Sequence, residues 1–174
     1  MDKIIFLSRL TQERDRFEQL LNRVGYTRQT AMKGAIGKLS VKDLMADVLD
    51  REQFIADRLN EVLLGDVYSP CVSHTSLQNF QHLNGYPDYE SPLFKKEDGH
   101  YLAATKYKNV GLDEIVEQEI ATYGNVLSAF EKLTHDQCLD HDLYHRAAEQ
   151  TYKCYRRNGI EISHWLKSIA PESY

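Results

Sequence analysis

Glu52 is a carboxylate in a place where an apolar side chain is expected. It falls between Val48 and Ile55, within a series of apolar residues spaced three and four apart, which is the spacing of one helix face. A carboxylate on such a face has to be paired, neutralised or opened to a cavity. A buried Glu with a raised pKa is suited to general-base catalysis, whereas a Glu that pairs with an arginine or lies near a bundle end is structural. The structural interpretation is favoured, because ion pairs within a fold often resemble sites.

The histidines include one pair with metal-binding spacing. His141 and His145 form an HxxxH motif, and two imidazoles four residues apart on a helix suit zinc or nickel. No third ligand can be identified, and the pair precedes the last predicted helix, so two solvated histidines are the favoured interpretation. The other histidines are isolated and are interpreted as surface or partly buried residues without a site: His74, His82, His100, His135 and His164.

The cysteines form no recognisable metal or disulfide pattern. Cys71, Cys138 and Cys154 are odd in number and show no CxxC spacing, which fits a reducing cytosol. Cys154 becomes a nucleophile only if a base or a cation such as Lys153 or Arg157 lowers its pKa. An inert, buried thiol is the favoured alternative.

Composition limits the class of protein. The chain has 174 residues, of which 42% are hydrophobic, and this predicts a single domain over 1–174 with one core. A formal charge of −5 argues against a nucleic-acid partner, since Lys and Arg hold such partners. The apolar run at the N-terminus is too short to span a bilayer and has no signal-peptide cleavage site, so a cytoplasmic protein without a membrane partner is expected.

Four segments with helical periodicity must position these candidates. They cover about 8–23, the stretch from a cap at Ser40 to a stop at Gly65, about 112–132 and roughly 147–169. Ser40 and Asp43 form an S-x-x-D capping pattern, and Pro171 forbids continuation of the last helix. No stretch shows the alternation of a strand.

A long connection separates the second and third predicted helices. Residues 66–110 exceed an ordinary loop, so a short helix near 76–83 is expected within them. The prolines and glycine of NGYPDYESP mark a true loop. Such a crossover lets the helices on either side of it run parallel. The sequence therefore predicts an all-α four-helix bundle with a long crossover between helices 2 and 3.

Three stretches resemble one protein superfamily. They are GKLSVKDLMADVL at 37–49, VGLDEIVEQEIATYGNVLSAFEKLTHDQCL at 110–139 and QTYKCYRRNGIEISHWLK at 150–167. They are similar to the second, third and fourth helices of DinB-like bundles, and more narrowly to the DfsB-like branch, which includes a colibactin self-protection protein. The resemblance implies the same four-helix fold.

The resemblance also implies a metal position, which this sequence does not keep. Many DinB-like proteins hold a divalent ion with one histidine on the second helix and an HxxxH pair on the fourth, and the matching positions here are Asp47, Cys154 and Asn158. A hard carboxylate, a soft thiol and a weak amide are a poor set for one ion, so neither a metal nor another cofactor is expected. The predicted ligand-binding residues, in a pocket bordered by helices 2 and 4, are Asp47, Glu52, Cys154, Tyr155 and Asn158.

The resemblance implies a small-molecule hydrolase or binding protein that works without a metal. The alternatives are a non-enzymatic homodimeric interaction protein, and a metal-dependent transferase or hydrolase that uses His141 and His145. A homodimer is expected from the resemblance and from apolar residues near helix ends, namely Phe6, Leu7, Leu10 and Trp165. A polar pocket open to solvent around Asp47 would favour a ligand, and a filled volume would favour the interaction protein.

Overall fold

Long helices form a bundle in the computed structural model, which describes residues 1–169. They are α1 (Lys3–Val24), α3 (Val41–Leu64), α6 (Leu112–Lys132) and α9 (Tyr152–Ile169). The shorter elements are α2 (Tyr26–Ala31), β1 (Lys33–Ile36), β2 (Leu39–Ser40), α4 (His74–Asn84), α5 (Asp98–Lys106), α7 (His135–Asp140) and α8 (Leu143–Gln150). The predicted all-α bundle is confirmed, and Pro171, predicted to stop the last helix, lies outside the described residues. Within 1–169, no helix has both the length and the apolar character needed to cross a membrane.

α3 begins and ends where local sequence signals predict. The Ser40 hydroxyl accepts a hydrogen bond from the Asp43 amide at 3.2 Å, and the Asp43 carboxylate accepts one from the Ser40 amide at 2.9 Å. This reciprocal cap satisfies two amides at the helix start, and an N-cap of this kind stabilises a helix by about 1 kcal/mol. Gly65 ends α3 in the left-handed conformation, with φ of 77°, which favours glycine.

The crossover between α3 and α6 packs along α3. It contains α4, near the predicted position 76–83, and α5, which was not predicted. α5 has only nine residues, too few to show a clear apolar stripe in the sequence. The Tyr86 hydroxyl donates to Asp57, and the Lys106 amine donates to Asp50 at 2.8 Å. Two carboxylates of α3 thus anchor the crossover, and α5 packs against α3.

Two helix boundaries differ from the prediction. The last predicted helix is divided into α8 and α9 by a break at Thr151. The Thr151 hydroxyl donates to the Ala147 carbonyl at 2.7 Å, and such back-bonding bends helices. α1 begins at Lys3, earlier than predicted, because the Asp2 carboxylate caps it by accepting from the Ile5 amide at 2.8 Å.

A short hairpin precedes α3, so the expectation of no strand was wrong. β1 and β2 pair antiparallel on either side of Gly37, which adopts a φ of 56° in the left-handed region that favours glycine. Strands of four and two residues are too short for alternation to be recognised. The hairpin supplies Ile36 to the cavity described below.

The apolar residues behind the homodimer prediction belong largely to the core. Phe6, Leu10 and Trp165 are buried within the monomer, and Leu7 is partly buried and packs against the same core. These four residues therefore do not form a free apolar face. The homodimer remains a prediction, without the support of these residues.

Candidate functional site

Three of the predicted site residues meet at one cavity. Asp47 lies on α3, and Cys154 and Asn158 lie one turn apart on α9. The Cys154 sulfur is 3.9 Å from Asp47 Oδ2, and the Asn158 side-chain amide donates to this sulfur at 3.6 Å. The three side chains are buried and line a cavity of about 310 Å³. Exposed Ile160 and Glu161 also line it, so the cavity opens to solvent on their side.

Asp47 is held in place by Arg51, one turn further along α3. Arg51 Nε donates to Asp47 Oδ2 at 3.0 Å. Burial is the largest single influence and lowers the pKa of Arg51. The Asp47 charge, its hydrogen bond and the nearby Cys154 and Tyr89 together outweigh burial, so the net shift of this pKa is upward. The other oxygen, Asp47 Oδ1, has no hydrogen-bond partner within residues 1–169. A buried polar atom without a partner costs stability, and such exceptions are often found at functional sites.

His100 of α5 completes this cluster, although the sequence analysis interpreted it as an isolated residue without a site. Its Nε2 lies 3.0 Å from Asn158 Oδ1 and 3.5 Å from Asp47 Oδ2. Since both oxygens are acceptors, Nε2 is assigned as the donor, and in a neutral ring this assignment leaves the lone pair on Nδ1. A carboxylate that fixes one ring nitrogen prepares the other to exchange protons.

Gly99 explains how α5 approaches so closely. A Cβ added at Gly99 would lie 2.9 Å from Arg51 Nη2 and 3.3 Å from Asp47 Oδ1. Glycine alone permits this approach without displacement of the neighbours, and the approach sets His100 beside Asp47. No spacing rule links His100 to Asp47 or to Asn158, because their contact depends on how the crossover folds back. The Gly99–His100 pair is the only local signal, and it is a weak one.

Cys154 has the surroundings of an inert thiol. Burial, followed by the charge of Asp47, raises the pKa of Cys154 to about 12. Arg51 and Arg157 act in the opposite direction but do not outweigh these effects. The sulfur therefore keeps its proton at neutral pH, and a thiol is a much weaker nucleophile than a thiolate.

The residues at this cavity do not fit the metal that the DinB-like resemblance implies. Asp47 Oδ2 already accepts a hydrogen bond from Arg51, and the guanidinium charge opposes a metal cation there. The Cys154 thiol keeps its proton, and the Asn158 amide is a weak ligand. Among the residues that the structure describes, no three His, Cys, Asp or Glu side chains are placed to hold one metal ion. No chemistry through a metal is derived at this position.

His141 and His145 do not converge on a common point. His141 follows α7 and lines a small cavity beside Arg58 and Tyr68. His145 lies on α8 and lines a different cavity, beside Arg51. Both are exposed, which agrees with the favoured interpretation of two solvated histidines.

Glu52 and Tyr155, the other predicted ligand-binding residues, belong to a separate cluster inside the bundle. Glu52 of α3 is fully buried beside Glu119 of α6. Arg14 of α1 donates two hydrogen bonds to Glu119, one of them at 2.7 Å. Tyr155 of α9 stacks on Phe17 with 5.5 Å between ring centroids and lies near Glu52. One residue from each long helix therefore contributes to this interior cluster of Arg14, Glu52, Glu119 and Tyr155.

The interior cluster contains one cation for two carboxyl groups. The expected arginine partner exists, but Arg14 pairs with Glu119 and not with Glu52. Burial, followed by the charge of Glu119, raises the pKa of Glu52 well above its ordinary range. The two Glu52 carboxyl oxygens and the Tyr155 hydroxyl have no hydrogen-bond partner within the described residues. Burial and the neighbouring carboxylate thus favour the protonated form of Glu52. Glu52 does not line the cavity of Asp47 and His100.

No protein-family model matches this chain, and no curated protein matches it. A solved structure described as the crystal structure of an uncharacterised protein from Escherichia coli UTI89 is similar to it, with a TM-score of 0.67 and 14% sequence identity. The similarity covers 96% of this chain and 94% of that one. At this identity the similarity shows the fold alone, and the DinB-like resemblance stays a hypothesis.

Proposed function

We propose that this protein is a DfsB-like bundle protein that binds a small polar molecule in the cavity formed by Asp47, His100, Cys154 and Asn158, without a metal at that position. We name this cavity the His100 cavity. The observation that carries the proposal is its volume of about 310 Å³, at the lower end of the range of about 300–1,000 Å³ for ligand pockets. Buried polar groups lie at its base and exposed residues at its rim. A site left over as plain core would be filled by side chains.

A metal-independent hydrolase is the second candidate function, and His100 is the observation that favours it. His100 Nδ1 has the lone pair needed to accept a proton from an attacking water, while Nε2 stays on Asn158. The imidazolium formed in this step would be stabilised by the Asp47 carboxylate at 3.5 Å, and it would return the proton to the leaving group as the bond to the attacked carbon breaks. Cys154 has no role as a nucleophile in this scheme, because its thiol is protonated.

Fragment binding tests the binding proposal. A soluble fragment library is screened by ligand-observed NMR against the wild-type protein and against Ile160→Trp, which adds bulk at the rim of the His100 cavity. We expect fragments to bind the wild-type protein and to lose binding both in Ile160→Trp and in Glu161→Trp. The second variant is needed because Ile160 also lines a cavity beside Tyr155, which Glu161 does not line. Ile120→Trp is the matched control, because Ile120 is similarly exposed, at 56% against 51%, and lines a different cavity. Fragments that depend on Ile120 and not on Ile160 would contradict the proposal.

Ester hydrolysis tests the second candidate. With p-nitrophenyl acetate as the probe, His100→Gln should lower the rate by about 10²-fold, the lower end of what an acid–base residue contributes. His74→Gln removes an exposed histidine on α4 and should leave the rate unchanged. An equal rate in wild-type protein and His100→Gln would reject hydrolysis through His100 and would leave the binding proposal in place.

A further inference from the structure

A second cavity, of about 420 Å³, adjoins the His100 cavity and shares Arg51 and Arg157 with it. We name it the cationic cavity. Four of its lining side chains carry a permanent positive charge, and two are carboxylates: Arg51, Lys96, Arg146 and Arg157 against Glu90 and Glu149. This surplus of positive charge contrasts with the formal charge of −5 for the whole chain. A local field of this sign concentrates anions.

The two carboxylates leave much of that charge available. Glu90 is engaged by Arg146 through two hydrogen bonds of 2.7 and 2.8 Å. Glu149 has its closest ion pair, at 2.6 Å, with Lys153, which does not line the cavity. Arg157 Nη1 lies 3.8 Å from Glu149. The guanidinium of Arg157 is therefore only loosely held.

Donors for an anion remain on Arg51 and Lys96, and the Tyr89 hydroxyl beside them is buried and unpaired within the described residues. Arg51 uses Nε for Asp47, and its Nη1 makes only a 3.5 Å contact with Gln150. Its guanidinium is held over the Tyr89 ring at 4.5 Å, so these nitrogens are fixed in advance of binding. Lys96 is exposed and forms no ion pair within 4.0 Å of a carboxylate in residues 1–169.

We infer that the cationic cavity holds the anionic group, a carboxylate or a phosphate, of the small molecule that occupies the His100 cavity. Planar guanidinium groups pair well with both kinds of oxyanion. Arg51 and Arg157 line both cavities, so an anion bound to them leaves the rest of its molecule beside His100. The link to His100 rests on the proposed function, and it makes the ligand an acidic small molecule.

Inorganic phosphate and acetate are the probes that test this inference. Each is titrated at low ionic strength into ¹⁵N-labelled protein, and the backbone amide shifts are followed. We expect saturable binding of at least one probe, with the largest shifts around Lys96 and Arg157. The double variant Lys96→Gln/Arg157→Gln should bind roughly tenfold more weakly, since it removes charged hydrogen-bond donors. Tighter binding of phosphate or of acetate identifies which oxyanion the cavity prefers.

The matched control is Lys108→Gln/Arg28→Gln, which removes the same charges from exposed positions outside the cavity. It should leave the affinity unchanged. An equal loss in both double variants, or no saturable shift near Lys96, would overturn the inference. His100→Gln separates the two proposals, because it should retain anion binding. If anions bind near Lys96 but no fragment binds at the rim of the His100 cavity, the proposed function is rejected. If fragments bind there but no anion binds near Lys96, only the anion site is rejected.

Discussion

α3 carries three buried carboxyl groups, and two of them, Asp47 and Glu52, have surroundings that differ completely. Neither is exposed, and they lie about 140° apart around the helix axis. Asp47 pairs with Arg51 and lines an open cavity beside His100. Glu52 is enclosed beside Glu119, and burial raises its pKa. Burial alone therefore does not mark a functional carboxylate. A partner of opposite charge and access from solvent are what distinguish Asp47.

The largest expected effect is the creation of a metal site in the His100 cavity. The triple change Asp47→His, Cys154→His, Asn158→His presents three imidazoles from two helices. We expect micromolar binding of zinc or nickel, about 8 kcal/mol of binding free energy, in a calorimetric titration. Wild-type protein purified without chelator should carry no stoichiometric transition metal.

The control for the metal site changes Cys154 and Asn158 to histidine and Asp47 to alanine, because a carboxylate kept at position 47 would itself serve as a zinc ligand. It lacks the imidazole on α3 and should bind the metal at least tenfold more weakly, because one ligand is missing. If the triple variant is folded by circular dichroism and binds no better than this control, then Asp47 does not face Cys154 and Asn158 as described.

Removal of Arg14, the one cation of the interior cluster, tests the surroundings of Glu52. Arg14→Met leaves Glu52 and Glu119 together in the interior, and breaking a buried pair in this way costs about 3–5 kcal/mol. The free energy of unfolding in urea measures the loss. Arg156→Met is the control, because it breaks an exposed 2.9 Å pair with Glu13 that is worth at most about 1 kcal/mol. Equal losses would show that the interior cluster is not desolvated.

A methyl group at Gly99 tests the close approach of α5 to α3 that places His100 beside Asp47. Gly99→Ala places a Cβ 2.9 Å from Arg51 Nη2, and such overpacking costs about 1–3 kcal/mol. The imidazole resonances of His100 should shift as well. Gly124→Ala is the control, because nothing lies within 4 Å of its added Cβ and a helical alanine is more stable by about 0.5–1 kcal/mol. A neutral Gly99→Ala would mean that α5 lies further from α3.

A pH series tests whether Glu52 holds a proton. Burial and Glu119 raise the pKa of Glu52 in the fold above its ordinary value of 4.5. Above pH 4.5 the unfolded chain loses this proton while the folded chain keeps it, so the free energy of unfolding falls as pH rises towards the folded pKa. The slope is about 1.4 kcal/mol per pH unit. Glu52→Gln has no such proton, so its stability relative to wild type should increase from pH 5 upward.

Glu131→Gln is the control for the pH series, because Glu131 is an exposed carboxylate at the end of α6. Its stability should follow that of the wild type at each pH. Parallel curves for wild type and Glu52→Gln would mean that Glu52 titrates as an ordinary exposed carboxylate.

The features that the sequence predicted are those with a local or periodic cause. Ser40 and Asp43 are three residues apart, so their cap could be recognised without knowledge of any other part of the fold. Cys154 and Asn158 share a face because residues four apart do so on any helix. The prediction that Cys154 and Asn158 face Asp47 across two helices came from the family resemblance.

The features that were missed depend on how distant segments meet. His100 reaches Asp47 through the folded crossover, and Arg14 selects Glu119 over Glu52 across three helices. Neither contact produces a residue spacing that could be recognised in the sequence. The break at Thr151 was missed for a different reason, since a single hydroxyl bond to a carbonyl decides it.

A crystallographic fragment screen tests the central claim most directly, because it shows where small molecules bind without assuming a reaction. The claim is that the His100 cavity, and not the interior cluster around Glu52, is the ligand site. We predict fragment density in contact with His100 and Asn158, absent from crystals of Ile160→Trp. Density confined to other surfaces, with the His100 cavity unoccupied throughout the screen, would contradict the claim.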